Sequence, residues 1–188
     1  MSSKNDIAEI IAGCRKGEAL YQRALVDNYS ELLFSVALRY MGDESRAKDV
    51  LQETFIRVFK SFKTFDPNKG SISTWMRKIT VNVALRSLSK KHLKTSTLTI
   101  EFNEKYSTAP EILQKMEHDD IMAVVQSLPE GYRQVFNLAV IEGYSHKEIG
   151  EMLGLEEVSS RSKLSRAKQL LRKKLLASKN SDSWIKTV

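Results

Sequence analysis

The chain has 188 residues, 41% of them hydrophobic, and a formal net charge of +7 at pH 7. This length allows one sizeable domain or two small ones, and no apolar run approaches the roughly 18 residues of a membrane span. A single cysteine, Cys14, excludes an intramolecular disulfide, so we expect a globular cytoplasmic protein. With three prolines and no strand-like alternation, the pattern predicts an all-α fold of two helical domains joined by a flexible linker.

The distribution of charge divides the chain into three parts. Residues 1–91 carry 16 Lys/Arg against 10 Asp/Glu, residues 92–126 carry 3 against 6, and residues 127–188 carry 11 against 7. Two basic blocks that flank an acidic connector are typical of two nucleic-acid-facing modules, joined by a segment that does not itself bind a duplex.

In the first block, the pattern predicts helices over Ile7–Lys16, Glu18–Asn28, Ser30–Tyr40 and Arg46–Phe62, with a turn at 42–45. The long helix Arg46–Phe62 has an apolar face made by Val50, Leu51, Thr54, Phe55, Val58, Phe59 and Phe62. Its polar face carries Asp49, Gln52, Glu53, Arg57 and Lys60. This helix is therefore predicted to pack on one side and to offer the other side to solvent or to a partner.

The final predicted helix of the first block follows the loop 65–71, is capped by Ser71, and is predicted to run to about Lys91. Its predicted buried stripe is Ile72, Trp75, Met76, Ile79 and Val83. Beside this stripe, Lys78, Asn82 and Arg86 recur every four residues and form a candidate single-strand platform, with cations for the backbone and an amide for a base edge. The alternative is that Trp75 is a core residue and Asn82 a satisfied polar residue at a packing edge.

The stretch from Leu128 to Leu176 has the pattern of a helix-turn-helix. Ser145 and Glu148 form the S-x-x-E pattern of a capping box, which predicts a short helix beginning at about residue 146 and ending at Gly154. A further helix is predicted over about 157–177, with an inward face of Ser160, Leu164, Ala167, Leu171 and Leu175. Its outward face carries Arg161, Ser162, Ser165, Arg166, Gln169, Arg172 and Lys173. Such a face suits the major groove of DNA, where early residues reach base edges and later ones meet phosphates.

Three observations limit the other classes of function. The three histidines are scattered, no Cys/His cluster has metal-ligand spacing, and no glycine-rich phosphate loop occurs. We therefore expect neither an enzyme nor a bound metal or cofactor. The alternative from a different class is a stand-alone helix-turn-helix regulator, whose N-terminal bundle binds a ligand or dimerises.

Two segments carry a resemblance to a known family. The first segment resembles the second conserved region of bacterial RNA polymerase sigma factors of the extracytoplasmic-function group; it reads DESRAKDVLQETFIRVFKSFKTFDPNKGSISTWMRKITVNVALRSL. The second segment is similar to the fourth region of these factors; it reads LPEGYRQVFNLAVIEGYSHKEIGEMLGLEEVSSRSKLSRAKQLL. The resemblance spans about Gly17 to Leu176 and implies a transcription initiation factor with region 2 over 1–91, a linker and the first helix of region 4 over 92–126, and region 4 over 127–188.

The resemblance also implies partners and site residues. Core RNA polymerase is expected to contact Asp49, Gln52 and Glu53. Melting and recognition of the −10 promoter element are assigned to Trp75, Lys78, Asn82 and Arg86, with the loop 65–71. Recognition of the −35 element is assigned to Arg161, Ser162, Lys163, Ser165 and Arg166. The connector is expected to pass near the polymerase active centre. Because no sensory domain is evident, we also expect an anti-sigma factor that covers the core-binding face of the first domain or wedges between the two domains.

The chain departs from the family pattern at two places. The family commonly has an acidic residue where this chain has Arg86, and a glycine with a Ser or Thr cap where this chain has Glu156, Glu157 and Val158. Because a β-branched residue does not readily adopt positive φ, we expect the turn before the recognition helix to be tighter or shifted by one residue.

Overall fold

The structure is a computed structural model that describes residues 7–89 and 123–185, with side chains to residue 176 in the second range. The chain divides into two compact units, Met1–Leu93 and Lys94–Val188. Regular structure within the described ranges is entirely helical, which confirms the predicted fold class. Most of the connector, residues 92–122, lies outside the described residues, as does the predicted end of a helix at Lys91.

Over residues 7–89, the first unit contains four helices: α1 (Ile7–Lys16), α2 (Ala19–Met41), α3 (Glu44–Ser61) and α4 (Ile72–Ser89). Two short 3₁₀ turns, Phe62–Thr64 and Pro67–Lys69, connect α3 to α4. The buried core is formed by Ile10, Cys14, Leu25, Leu33, Phe55, Val58, Phe62, Phe65, Ile72 and Met76. Burial raises the pKa of the Cys14 thiol to about 11, so this cysteine is protonated and unreactive at neutral pH.

The predicted break between Glu18–Asn28 and Ser30–Tyr40 is wrong, because α2 is continuous from Ala19 to Met41. The Ser30 hydroxyl donates a hydrogen bond to the carbonyl of Val26 one turn earlier, so this residue is satisfied within the helix. Leu25 and Leu33, on either side of the predicted break, are both fully buried and continue one apolar face through it.

The following helix begins two residues earlier than predicted. Gly42 ends α2 in the left-handed conformation, with φ of 66°. The Asp43 carboxylate then accepts a hydrogen bond from the amide of Arg46 at 2.8 Å and caps α3, so the predicted turn at 42–45 already contains the first helical residues.

The second unit begins in the described residues with one helical turn at 123–126 and continues as α5 (Glu130–Phe136), α6 (His146–Leu153) and α7 (Glu157–Ile185). Its core contains Val125, Leu128, Phe136, Val140, Ala167 and Leu171. A π-helical turn, Asn137–Ile141, extends α5, and the amide of Glu142 donates to the Asn137 carbonyl at 2.9 Å. None of the described helices is long and apolar enough to cross a membrane.

Candidate nucleic-acid and polymerase interfaces

The outer face of α3 carries the three residues assigned to core polymerase. Asp49 and Gln52 are exposed, while Glu53 is half-buried and accepts a hydrogen bond from Arg57 Nε at 2.6 Å. The opposite face is buried as predicted, including Val50, Thr54, Phe55 and Val58. The structure thus places all three residues together on the solvent side, where the Glu53 carboxylate forms an ion pair with Arg57 one turn later.

The loop 65–71 is held at both ends and exposed between them. Phe65 is buried, with 4% of its surface exposed, whereas Pro67, Asn68 and Lys69 are exposed. The Asp66 carboxylate accepts a hydrogen bond from the amide of Asn68 at 3.0 Å, and the Ser71 hydroxyl accepts one from the amide of Thr74 at 3.2 Å. The second bond confirms Ser71 as the cap of α4.

Trp75 lies at the edge of the core and is half-buried. Its ring meets Phe62 edge-on, with centroids 5.8 Å apart, and lies 5.3 Å from the ring of Phe65. The aromatic cluster therefore ties the first turn of α4 to the start of the loop 65–71, and part of the Trp75 surface remains exposed beside it.

The three polar residues predicted to recur every four positions lie along α4 as expected, but they are less exposed than residues on a solvent-facing edge would be. Lys78, Asn82 and Arg86 are all half-buried. The apolar face of α4 is wider than the predicted stripe, because the helix packs against both α2 and α3. Its buried residues are Ile72, Met76, Thr80, Val81, Val83, Ala84, Leu85 and Leu88. Of the predicted stripe, Trp75 and Ile79 are only partly buried.

The helix-turn-helix is built as the sequence predicts. Ser145 Oγ accepts a hydrogen bond from the amide of Glu148 at 3.3 Å, and a Glu148 carboxylate oxygen accepts one from the amide of Ser145 at 2.7 Å. Gly154 ends α6 with φ of 64°. Gly150 allows the chain to return closely, because a Cβ atom at this position would lie 2.5 Å from the Leu155 carbonyl oxygen.

The start of α7 shows how the chain accommodates its departure from the family pattern. The left-handed conformation falls on Gly154, and α7 begins at Glu157. Val158 lies in the first turn of the helix and is 73% exposed. Val158 is therefore not the residue that adopts a positive φ in this turn.

The exposed face of α7 contains four of the five residues assigned to the −35 element: Arg161, Ser162, Ser165 and Arg166. Lys163 differs from them, because it is half-buried and its ammonium lies 6.0 Å from the centroid of the Tyr132 ring on α5. The predicted inward face is also confirmed, with Ser160, Ala167 and Leu171 buried. The structure thus separates Lys163 from the other four.

Two side-chain contacts involve the recognition helix. A carboxylate oxygen of Glu157 accepts a hydrogen bond from Arg161 at 2.5 Å, and the exposed surface of both side chains makes this a weak, exchangeable pair. His146 Nδ1 lies 2.9 Å from Ser160 Oγ and links α6 to α7. Burial, followed by the charge of Arg161, lowers the pKa of His146. The Glu157 and Arg161 pair could be found from its spacing of four residues, but only the fold brings His146 to Ser160.

Comparison with known proteins gives two family matches and several relatives. The family described as Sigma-70 region 2 matches residues 25–93, and that described as Sigma-70, region 4 matches residues 118–171. The extracytoplasmic-function sigma factor SigE of Mycolicibacterium smegmatis is 32% identical over 154 residues, which cover 79% of this chain and 59% of SigE. SigW of Bacillus subtilis is 28% identical over 181 residues, which cover 90% of this chain and 96% of SigW.

Among solved structures, the sigma factor RpoE from Bartonella quintana, in complex with the anti-sigma factor NepR, has a TM-score of 0.47 and 16% identity. This match covers 81% of the present chain and 95% of RpoE. The chain spans about three fifths of the length of SigE and nearly all of SigW.

Proposed function

We propose that the two units of this chain have separate roles in transcription initiation. The chain belongs to the extracytoplasmic-function group of the bacterial sigma-70 factors. The first unit binds core RNA polymerase and reads the −10 element, and the second reads the −35 element. The observation that carries the proposal is the capped helix-turn-helix whose second helix exposes Arg161, Ser162, Ser165 and Arg166 on one face. The chain, in this proposal, supplies recognition and DNA opening and no chemistry of its own.

The outer face of α3 is the proposed surface for core polymerase. Asp49, Gln52 and Glu53 occupy adjacent positions there, while the inner face is fixed in the core. Two carboxylates on one face of a packed helix favour a basic partner surface, and the ion pair between Glu53 and Arg57 can be exchanged for one with the partner.

The −10 element is read, in this proposal, by α4 and the loop 65–71. Asn82 offers a donor and an acceptor to the edge of an unpaired base, and Lys78 and Arg86 neutralise the neighbouring phosphates. Because all three side chains are half-buried, they project from a helix that the core holds in place. Trp75 is proposed to support the loop through Phe65 and to offer its exposed part to the DNA.

The −35 element is read by α7 in the major groove. Arg161, Ser162, Ser165 and Arg166 provide base-edge and phosphate contacts, and the Glu157 partner of Arg161 is exchanged for DNA on binding. Lys163 is assigned a supporting role, because its ammonium lies near Tyr132. The proposed contacts to the −35 element are therefore four of the five residues inferred from the sequence.

Two further partners complete the proposal. The connector, residues 92–126, passes near the polymerase active centre, and an anti-sigma factor holds the chain inactive in the cytoplasm until a signal arrives. RpoE of Bartonella quintana was solved with such a partner. A pull-down of the chain from uninduced cells is expected to recover an inhibitor, and recovery of polymerase alone contradicts this part of the proposal.

Run-off transcription with purified core enzyme tests the proposal as a whole. We expect a promoter-specific transcript only when core enzyme and this chain are both present. The alternative, a stand-alone helix-turn-helix regulator, predicts DNA binding without core enzyme and no new start site when the two are combined. A start site that does not depend on the chain contradicts the proposal.

A further inference from the structure

The first helix of the chain touches the loop that is proposed to read the −10 element. α1 precedes the range 25–93 that matches Sigma-70 region 2. From α1, Arg15 Nη2 donates a hydrogen bond of 2.8 Å to the carbonyl oxygen of Phe65, across 50 positions of sequence. A cationic donor on a neutral carbonyl is stronger than an ordinary hydrogen bond. The contact holds the peptide group of Phe65, which precedes the exposed part of the loop 65–71.

α1 is itself firmly placed. Its end is closed by two hydrogen bonds, from the Gly17 amide to the Cys14 carbonyl and from the Glu18 amide to the Gly13 carbonyl, both 3.1 Å. Gly13 lies so close to α2 that a Cβ atom would meet the Tyr21 ring at 2.0 Å. The Tyr21 hydroxyl donates to Glu9 at 2.7 Å and adds a second tie between the two helices.

The apolar side of α1 enters the same core as the loop. Ile10 and Cys14 are buried in one cluster with Phe62 and Phe65, and the Phe65 ring contacts Trp75 on α4. Phe65 is therefore held twice: its ring by the aromatic cluster and its carbonyl by Arg15. Pro67, Asn68 and Lys69, which follow this anchor within a few positions, are exposed.

We propose that Arg15 is a positioning residue for −10 recognition: it fixes the loop 65–71 in the conformation that closes over the base. This inference rests on the proposed function, and it adds to the reading surface a helix that precedes the matched range. Arg15 acts through the Phe65 backbone and touches no DNA. Its loss lets the loop move, so that base discrimination falls while binding of core polymerase through α3 is unchanged.

The test measures binding of single-stranded −10 oligonucleotides, with one base varied at a time, to the full chain bound to core enzyme. Arg15→Ala is expected to weaken the preferred oligonucleotide about fivefold, the loss that corresponds to one hydrogen bond of about 1 kcal/mol, and to weaken the others less. Arg15→Lys keeps a cationic donor and is expected to recover part of the preference. The matched control is Lys16→Ala, which removes the neighbouring exposed cation and its 3.8 Å contact with Glu18.

The outcomes separate the inference from the function on which it rests. If the parent chain prefers one base and Arg15→Ala keeps the same preference, the positioning role is wrong and the proposed function stands. If Arg15→Ala weakens all four oligonucleotides equally and flattens their salt dependence, Arg15 touches phosphate and the positioning role is again wrong. If the parent chain shows no base preference, both the positioning role of Arg15 and the proposed recognition of the −10 element are wrong. Core affinity of each variant is expected to match the parent. A single cooperative melting transition, lowered in Arg15→Ala by no more than the one hydrogen bond removed, shows that the fold is intact.

Discussion

The two candidate DNA-reading surfaces differ in how their side chains are held. On α4, Lys78, Asn82 and Arg86 are half-buried on a helix packed against α2 and α3. On α7, Arg161, Ser162, Ser165 and Arg166 are exposed, and Arg161 forms an ion pair with the Glu157 carboxylate one turn earlier. The side chains of the first surface are partly enclosed, whereas those of the second surface are exposed, and we propose that its two arginines become ordered only on DNA.

This difference suits the two forms of DNA that we assign to them. An unpaired base has no duplex to orient it, so the protein must provide a rigid frame for its edge. A −35 element remains double-stranded, and the regular groove itself orients an inserted helix. We therefore expect the −10 surface to be sensitive to changes in packing and the −35 surface to be sensitive mainly to the removal of individual side chains.

The largest effect is expected where the second unit depends on close backbone approach. Gly150→Ala places a Cβ atom 2.5 Å from the Leu155 carbonyl, so the free energy of unfolding of the second unit should fall by about 2 to 3 kcal/mol. The matched control is Gly131→Ala, where the nearest atom is the flexible Lys163 ammonium at 3.3 Å. Denaturant unfolding checks both variants, and equal losses at the two glycines would contradict the described turn.

Arg161→Ala and Arg166→Ala remove single exposed side chains from α7. A lost bidentate base contact should weaken binding by about 1 to 3 kcal/mol, with no change in the stability of the fold. The measurement is initiation on promoters that differ only in the −35 element, with Glu157→Ala as a control that removes the partner of Arg161. If both arginine variants match the parent on every promoter, this face does not read DNA.

Asp49→Arg reverses a charge on the exposed side of α3. Affinity for core enzyme should fall about tenfold, because a basic partner surface would face a new cation. Glu31→Arg on α2 makes the same change in net charge and is expected to leave core affinity near that of the parent. DNA binding by the second unit should be unaltered in both. Equal losses of core affinity in the two variants would show a general charge effect and no specific surface on α3.

The smallest effect concerns pH. The pKa of His146 is lowered in the folded chain, so the unfolded chain takes up a proton first as the pH falls through 6.5. The second unit should therefore lose a little stability below about pH 6.5, and His146→Gln should remove that dependence. The hydrogen bond to Ser160 persists on protonation, because the hydroxyl can accept as well as donate. Thermal melting between pH 5 and 8 checks this, and an identical pH profile for the variant would contradict it.

The sequence predicts much of this fold because its signals are local. The capping box at Ser145 and Glu148, the turn at Gly154 and the apolar face of α3 each follow from residues within a few positions of one another. The continuous α2 was missed, since a serine bonded to its own helix has the same sequence pattern as a serine at a break. The π-helical turn after Phe136 was also missed, because it leaves the apolar pattern of the segment unchanged.

The contacts that hold the candidate sites could not be predicted, because they join distant residues. Nothing in the sequence around Arg15 indicates that its side chain reaches Phe65, and the contact between His146 and Ser160 depends on how two helices cross. Lys163 shows the same limit: its position among basic residues suggests DNA, whereas its ammonium lies near Tyr132. Sequence periodicity predicts which side of a helix faces solvent. Tertiary packing then determines which side chains on that side are free to contact a partner.

We propose above that Asn82, on a helix held by the core, reads an unpaired base. The decisive measurement is binding of single-stranded −10 oligonucleotides, one base varied at a time, to the chain held on core enzyme. We expect Asn82→Ala to remove the preference for one base, whereas Lys78→Ala should weaken all oligonucleotides about equally and flatten their salt dependence. Identical base preferences for the parent and Asn82→Ala would contradict the claim and leave Asn82 as a structural residue at the packing edge of α4.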